Sequence, residues 1–466
     1  MTSDATTWFE DFPEELAQPH ASELEALHAR LAGQAPPTGR FARLWTLSTL
    51  GGRVAAAYTL GWLRTRFLPA DERARAQAET HFRAALHALG TMGYLRGAVA
   101  KSGQILASYP DVLPREVLAL FESLHAEAPP MHFALLRERV RSELGGEPEQ
   151  LFDAFEEQPC AAASLGQVHR AVLDGTRVAV KIQYPGMAAA VRADLANARL
   201  LLTPLRLGRE WENLMAQLEE LCRGLVSETD YLREALWTER VRTLLADCDG
   251  VVVPRAFPAL SSAHVLTSEW LPGRHLAAFL ATKPAQETRD RLGAALWRTS
   301  FRLWSSHRLF NTDPNPGNFL FLDDGRLGLL DFGAVREFDA REWELMRAGV
   351  HAQREGGAAQ AECIRQTSLA PGLSEDDEAF RQRSAACDWM WEPLRRPGVF
   401  DFGADDYLAR GVRLFGRALR AGHTRQEPVF LWCTRQFYGV RALLWALGAR
   451  FDAHAIADEE YRRAGL

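Results

Sequence analysis

The run Phe310-Asn311-Thr312-Asp313-Pro314-Asn315-Pro316-Gly317-Asn318 and the later Asp331-Phe332-Gly333 constrain this chain more than anything else in it. Asp313 and Asn318 stand in the pattern D-x-x-x-x-N. The apolar stretch Leu327-Gly328-Leu329-Leu330 then delivers Asp331, and Asp323-Asp324-Gly325 supplies a turn between them, so one hairpin separates the two acidic positions. Each piece alone arises by chance. Their order and spacing together do not.

That order matches a protein-kinase catalytic loop followed by its Asp-Phe-Gly triplet. Phosphoryl transfer from a nucleotide asks for one carboxylate facing the acceptor hydroxyl, here Asp313. It also asks for an amide and a second carboxylate on Mg²⁺, here Asn318 and Asp331. A second triplet, Asp401-Phe402-Gly403, lies too far downstream to share a hairpin with Asn318 and is set aside as a decoy.

With 466 residues, 47% hydrophobic and 24% charged, the chain can build two or three packed domains. A formal net charge of −6 gives no sign of nucleic acid as a partner. Six scattered Cys without a CxxC point away from zinc or a disulfide framework and toward a reducing, cytoplasmic setting. Leu44 to Leu63 and Pro428 to Leu447 are apolar, but Arg53 interrupts the first and Arg435, Gln436 and Arg441 the second. A charge at mid-bilayer is costly, so neither reads as a span. Arg40, Arg43, Arg64 and Arg66 rim the first segment, which suits a helix packed on the protein or one lying peripherally on a membrane surface.

Residues 1–40 read as a polar leader and 41–150 as a helical extension, with a helix at Phe133 to Leu144 closed by Gly145-Gly146. A strand-rich part, 151–271, opens with Gln167 to Leu173, a turn at Asp174-Gly175, and Arg177 to Ile182. Strands return at Val251 to Val253 and His264 to Thr267. Residues 272–466 are mostly helical. The expected fold is α+β, predominantly helical, bilobal and protein-kinase-like, with an N-terminal helical extension.

Lys181 closes Val178-Ala179-Val180-Lys181, similar to the V-A-I-K strand whose Lys grips the α/β-phosphates. Alone it would be an ordinary Lys at a strand end. Ahead of it, where a kinase carries a Gly-rich loop, stand Ala161-Ala162-Ala163-Ser164. Ala gives up easy access to positive φ and places methyl groups where backbone would approach phosphate. A nucleotide cradled there takes a different pose, and the plainer reading is an Ala-rich turn.

At this point the chain resembles the UbiB/AarF-type atypical kinases, a family associated with isoprenoid quinone biosynthesis. The likeness rests on Lys101-Ser102-Gly103-Gln104 (the family's KxGQ element), Ser108 to Pro114, and the Ala-rich segment with its Gln167-Val168-His169-Arg170-Ala171 continuation. It rests also on Lys181-Ile182-Gln183-Tyr184-Pro185-Gly186 and Glu228-Thr229-Asp230-Tyr231-Leu232-Arg233-Glu234-Ala235. The resemblance implies that Lys101 and Gln104 lean over the nucleotide site and occlude a protein substrate. Glu228 and Asp230 would engage Lys101, and Glu234 would pair with Lys181. It further implies Ser268 as gatekeeper and Glu269-Trp270-Leu271 as the hinge whose backbone reads adenine. Asn311, Thr312 and Asn315 depart from the family's usual His-Ala before the first Asp-Pro and His after it. The positions of Asp313, Asn318 and Asp331 survive that departure.

These readings imply ATP or ADP with Mg²⁺ as cofactors, and an atypical kinase or ATPase serving lipid-like or quinone-precursor substrates. A nucleotide-sensing scaffold without phosphoryl transfer stays open, as does a small-molecule phosphotransferase of the aminoglycoside-kinase sort. The KxGQ extension has no part in the latter.

Overall fold

The computed structural model describes residues 133–163, 165–193, 211–368, 377–404, 406–420 and 427–466. Lys101, Gln104, Ser164 and the Arg40 to Arg66 segment lie outside the described residues. The chain divides into two compact units, Met1–Gly175 with Val180–Arg206, and Thr176–Ala179 with Leu207–Leu466.

In the first unit, α1 (Phe133–Leu144) buries Leu136 and Val140, and α2 (Pro148–Leu151) starts at a capping box in which Glu147 and Gln150 satisfy each other's backbone amides. Strands β1 (Ala154–Phe155) and β2 (Ala161–Ala163) both pair antiparallel with β3 (Gly166–Leu173). The Ala-rich segment is therefore a strand, with Ala161 opposite Val168 and Ala163 opposite Gly166. Ala is tolerated there because a strand needs no positive φ. The turn at Asp174-Gly175, with φ of 47° and 72°, leads into β4 (Thr176–Gln183). Gly166 is obligatory: a Cβ there would stand 2.1 Å from the Ile182 carbonyl oxygen. Beneath this sheet His169 is fully buried and stacked on Phe155, with ring centroids 5.3 Å apart.

The second unit opens with the first half of β4, where the Arg177 carbonyl accepts from the Trp270 amide at 2.9 Å. It continues through α3 (Trp211–Ser227), α4 (Tyr231–Leu244), β5 (Val251–Val252), β6 (Val265–Glu269), β7 (Gly273–Arg274) and α5 (Leu276–Ala281). Next come α6 (Gln286–His307), β8 (Leu309–Asn311), β9 (Phe319–Leu322), β10 (Leu327–Leu329) and β11 (Val335–Glu337). The remainder is α7 (Ala340–Glu355), α8 (Gly357–Ser368), α9 (Glu378–Arg395), β12 (Phe400–Asp401), α10 (Tyr407–Arg420), α11 (Val429–Leu447), β13 (Arg450–Phe451) and α12 (Ala453–Ala464). One sheet runs β5-β10-β9-β7; the β9–β10 pair is the expected hairpin, with Leu327 opposite Phe321 and Gly325 at φ 81° in its turn.

Helix α6 forms the spine of this unit. Trp297, Phe301 and Trp304 recur along it at helical spacing, each at most 1% exposed, and pack on α11 and α12. Burying one such aromatic side chain stabilises by about 2–3 kcal/mol. No helix among the described residues is long and apolar enough to cross a membrane. Helix α11 buries its charges within the protein, Arg435 at 4% and Arg441 at 0% exposure. Arg441 donates to Tyr407 Oη, the Phe437 carbonyl and the Met390 carbonyl, and its guanidinium stands 5.1 Å from the Trp297 ring. These contacts explain why an almost apolar helix keeps Arg441.

Candidate active site

Helix α6 ends where Arg308 takes a left-handed φ of 56°, its amide closing on the Leu303 and Trp304 carbonyls. The chain then reverses into β8, which pairs antiparallel with β11, Asn311 opposite Val335. That pairing brings the D-x-x-x-x-N loop and the Asp-Phe-Gly triplet side by side. Thr312 locks them together: its amide and its hydroxyl both donate to the Ala334 carbonyl, at 3.2 and 2.7 Å.

Asn311 spans the same gap. Its Nδ2 donates to the Asp331 carbonyl at 3.0 Å, and its Oδ1 accepts from the Asp313 amide at 3.3 Å. Beyond Asp313, Asn315 Oδ1 accepts from the Gly317 amide at 2.8 Å, shaping a single tight turn from Pro316 to Asn318. Asn318 Nδ2 then donates to the Asp313 carbonyl at 2.9 Å and to Asp313 Oδ2 at 3.2 Å. Its own carbonyl accepts from Leu330 at 3.0 Å. The three residues that break the family's sequence pattern are thus the struts of the loop.

Asp313 is buried, 6% exposed, and its Oδ1 accepts from Arg435 Nη2 at 2.7 Å. With Asn318 on Oδ2, each carboxylate oxygen is held by a separate donor, so the rotamer is fixed. Arg435 comes from α11, whose Gly439 lies so close to Pro314 that a Cβ would meet Pro314 Cγ at 2.1 Å. Asp331 Oδ1 accepts from the Gly333 amide at 2.9 Å. Gly333 is wedged between two carboxylates: a Cβ there would stand 3.2 Å from Glu234 Oε2 and 3.3 Å from Asp331 Oδ1. Glu234, 2% exposed, is carried on α4 beside Arg233, whose guanidinium donates to the Gly333 and Val335 carbonyls at 2.9 Å each. Asp230 caps α4, accepting from the Arg233 amide at 3.1 Å.

The second unit therefore brings together Asp313, Asn318, Asp331 and Glu234. Lys181 belongs to the first unit, on β4 between the buried Val180 and Ile182. Glu269 closes β6, where its Oε2 accepts from the Arg255 amide at 3.3 Å. Leu271 packs with Leu320 and Leu322. Sequence reasoning missed Arg233 and Arg435. The only signal for Arg435 was a cation in a helix otherwise fit to be apolar, and Arg233 gave none.

The donor set suits a hard cation. Asn318 spends its amide nitrogen on Asp313, which leaves its Oδ1 as the ligand atom, and Asp331 adds a carboxylate. Mg²⁺ takes such oxygens and completes its octahedron with phosphate and water. The decoy triplet is instructive. Gly403 donates to Asp401 Oδ1 at 2.9 Å, the same local turn as at Gly333. Yet Asp401 pairs with Arg450 at 3.0 Å, and Phe402 is sealed among Phe400, Tyr407 and Phe451. The turn is common to both; only the first has the loop beside it.

Residues 123–356 match the ABC1 atypical kinase-like domain. A rat relative, atypical kinase COQ8B, mitochondrial, is 32% identical over 366 residues, covering 74% of this chain and 68% of that one. The Arabidopsis thaliana protein ACTIVITY OF BC1 COMPLEX KINASE 8, chloroplastic, is 35% identical over 246 residues, 50% of this chain; the match spans about a third (32%) of the length of that relative. Among solved structures, the complex of Rv3197 with erythromycin from Mycobacterium tuberculosis aligns with a TM-score of 0.56 and 27% identity, over 83% of this chain and 98% of that one. With its kinase-like fold and this domain match, the chain belongs to the UbiB/AarF group of ABC1 atypical kinases.

Proposed function

We propose that this chain is an ATP-binding, Mg²⁺-dependent atypical kinase or ATPase that acts on, or in support of, small lipid-like substrates. The observation that carries the reading is Asp313, held on one oxygen by Arg435 and on the other by Asn318. A carboxylate locked in this way orients an attacking hydroxyl or water with no loss of rotamer freedom at the moment of reaction. The attacking oxygen bonds to the γ-phosphorus and gives up its proton to Asp313, the bridging P–O bond breaks, and ADP leaves. Asn318 and Asp331 would hold Mg²⁺, which when bound neutralises charge on the phosphates. The family resemblance assigns Lys181 to the nucleotide phosphates with Glu234 as its partner, Ala161 to Ser164, Lys101 and Gln104 to nucleotide binding, and Glu269 to Leu271 to the adenine.

The quinone connection is an analogy with the family that the sequence resembles. A workplace at a membrane surface rests on the basic rim of residues 40–66. A nucleotide-gated scaffold is the second reading, favoured by the strand conformation of Ala161–Ala163, which is no flexible glycine flap.

The test is thermal shift and ATP hydrolysis with and without Mg²⁺. Nucleotide with Mg²⁺ should raise the melting temperature of wild type through preferential binding to the native state. Asp331→Asn should lose the Mg²⁺-dependent part while Asp401→Asn keeps it. Equal Mg²⁺ responses in the two variants would sink the metal assignment. Binding without hydrolysis in wild type would select the scaffold.

A further inference from the structure

Away from the catalytic loop, the helical part of the second unit holds a partly open cavity of about 130 Å³, lined by side chains of α6 to α12. An apolar cavity of this order stays dry and takes up small apolar molecules. Its walls are apolar, with Met346, Ile364, Met390, Phe415 and Phe437 facing in. Most polar groups that reach it are already engaged. Gln353 Oε1 accepts from Arg395 Nη2 at 2.6 Å, and Arg441 has three acceptors of its own.

Arg383 is the exception. It lines the cavity from α9 and is 7% exposed, and its Nε is buried without a hydrogen-bond partner. Among the described residues it makes no ion pair and no hydrogen bond. A guanidinium taken from water and left uncompensated costs several kcal/mol. Burial also pushes its pKa below the usual value, yet a guanidinium stays charged at neutral pH. Proteins rarely keep such a charge unless something pairs with it.

We infer that this cavity is a ligand site for an apolar monocarboxylic acid, whose carboxylate pairs with Arg383 and whose hydrocarbon body fills the space between α7, α9 and α11. The planar fork of Arg matches a carboxylate. Arg441, also in the wall, spends its donors on Tyr407 Oη and two carbonyls, so Arg383 is the guanidinium with donors left for a carboxylate. The neighbouring thiols accord with a dry site: burial raises Cys363 and pushes Cys387 up to about 11, so both remain neutral. This ligand site does not depend on phosphoryl transfer by the catalytic loop.

The experiment titrates the full chain with sodium decanoate below its micelle concentration and with decan-1-ol, by calorimetry and thermal shift. Decanoate should bind wild type and raise its melting temperature, at least about tenfold more tightly than the alcohol, as a charge-assisted pair requires. Arg383→Met should melt higher than wild type without ligand, because it removes an unpaired buried charge, and should lose the preference for the acid. Ile364→Trp, which fills the cavity, should weaken both probes. Equal binding of acid and alcohol, equal decanoate affinity in Arg383→Met, or a lower melting temperature of ligand-free Arg383→Met would each overturn the assignment.

Discussion

Asp313 and Arg435 form a pair whose side chains are 9% and 3% exposed, at 2.7 Å. Buried pairs of this kind add little net stability, since desolvation offsets the attraction, but breaking one from a single side strands a charge. The Nε and Nη1 of Arg435 are themselves buried without partners, so Asp313 is the guanidinium's compensation. Arg435→Ala should cost about 3–5 kcal/mol in chemical denaturation. The double variant Arg435→Met with Asp313→Asn should recover most of that loss, because neither charge is then alone. A double variant as unstable as the sum of its parts would show that the two residues do not compensate each other. The single change should also remove hydrolysis while the Mg²⁺-dependent nucleotide shift survives, since Asn318 and Asp331 stay in place.

Among elements, α11 does the most with the least sequence signal. Its N-terminal half touches α3, where Trp432 Nε1 donates to Glu220 at 2.7 Å. Its middle braces the catalytic loop through Arg435 and Gly439, and its far end carries Arg441 into the aromatic core. That the segment is apolar, lies in a mostly helical region and does not span a bilayer was legible, the last from the cost of its Arg residues there. Which partners they meet was not legible, because tertiary packing pairs positions far apart in sequence. The β9–β10 hairpin and the β3–β4 turn were legible from Asp-Gly signals, and α1 from apolar spacing. The Ala-rich strand was not, since Ala has weak preference and the pairing with β3 decides. Gly439→Ala tests the brace. With Pro314 Cγ 2.1 Å from the new methyl, overpacking should cost about 1–3 kcal/mol and shift the loop. The Mg²⁺·ATP thermal shift should shrink as well. A destabilised variant with an undiminished shift would mean that α11 supports the core but not the site.

For the whole molecule, acid sensitivity has an identifiable source in His169. Its Nδ1 lies 2.8 Å from the Glu156 carbonyl, which only accepts, so Nδ1 carries the proton and Nε2 accepts from Gln167 at 3.1 Å. Burial lowers its pKa from the ordinary 6.5. The unfolded chain therefore takes up a proton near pH 6.5 that the folded protein refuses. Stability is full above that pH and falls below it, by up to about 1.4 kcal/mol per pH unit for one such group. His169→Gln should flatten the fall between about pH 6.5 and 5 in denaturation curves; an unchanged slope would place the titration elsewhere. The separation of Asp313 from Arg435, by 122 residues, has its own consequence. Long-range contacts form late in folding. During synthesis the catalytic loop emerges far ahead of α11, with its buried carboxylate still lacking a counter-ion. A proteolytic or prematurely terminated fragment that stops short of α11 cannot fix Asp313. Chains of this protein that end before α11 should therefore fail to hydrolyse ATP even where the catalytic loop itself is present.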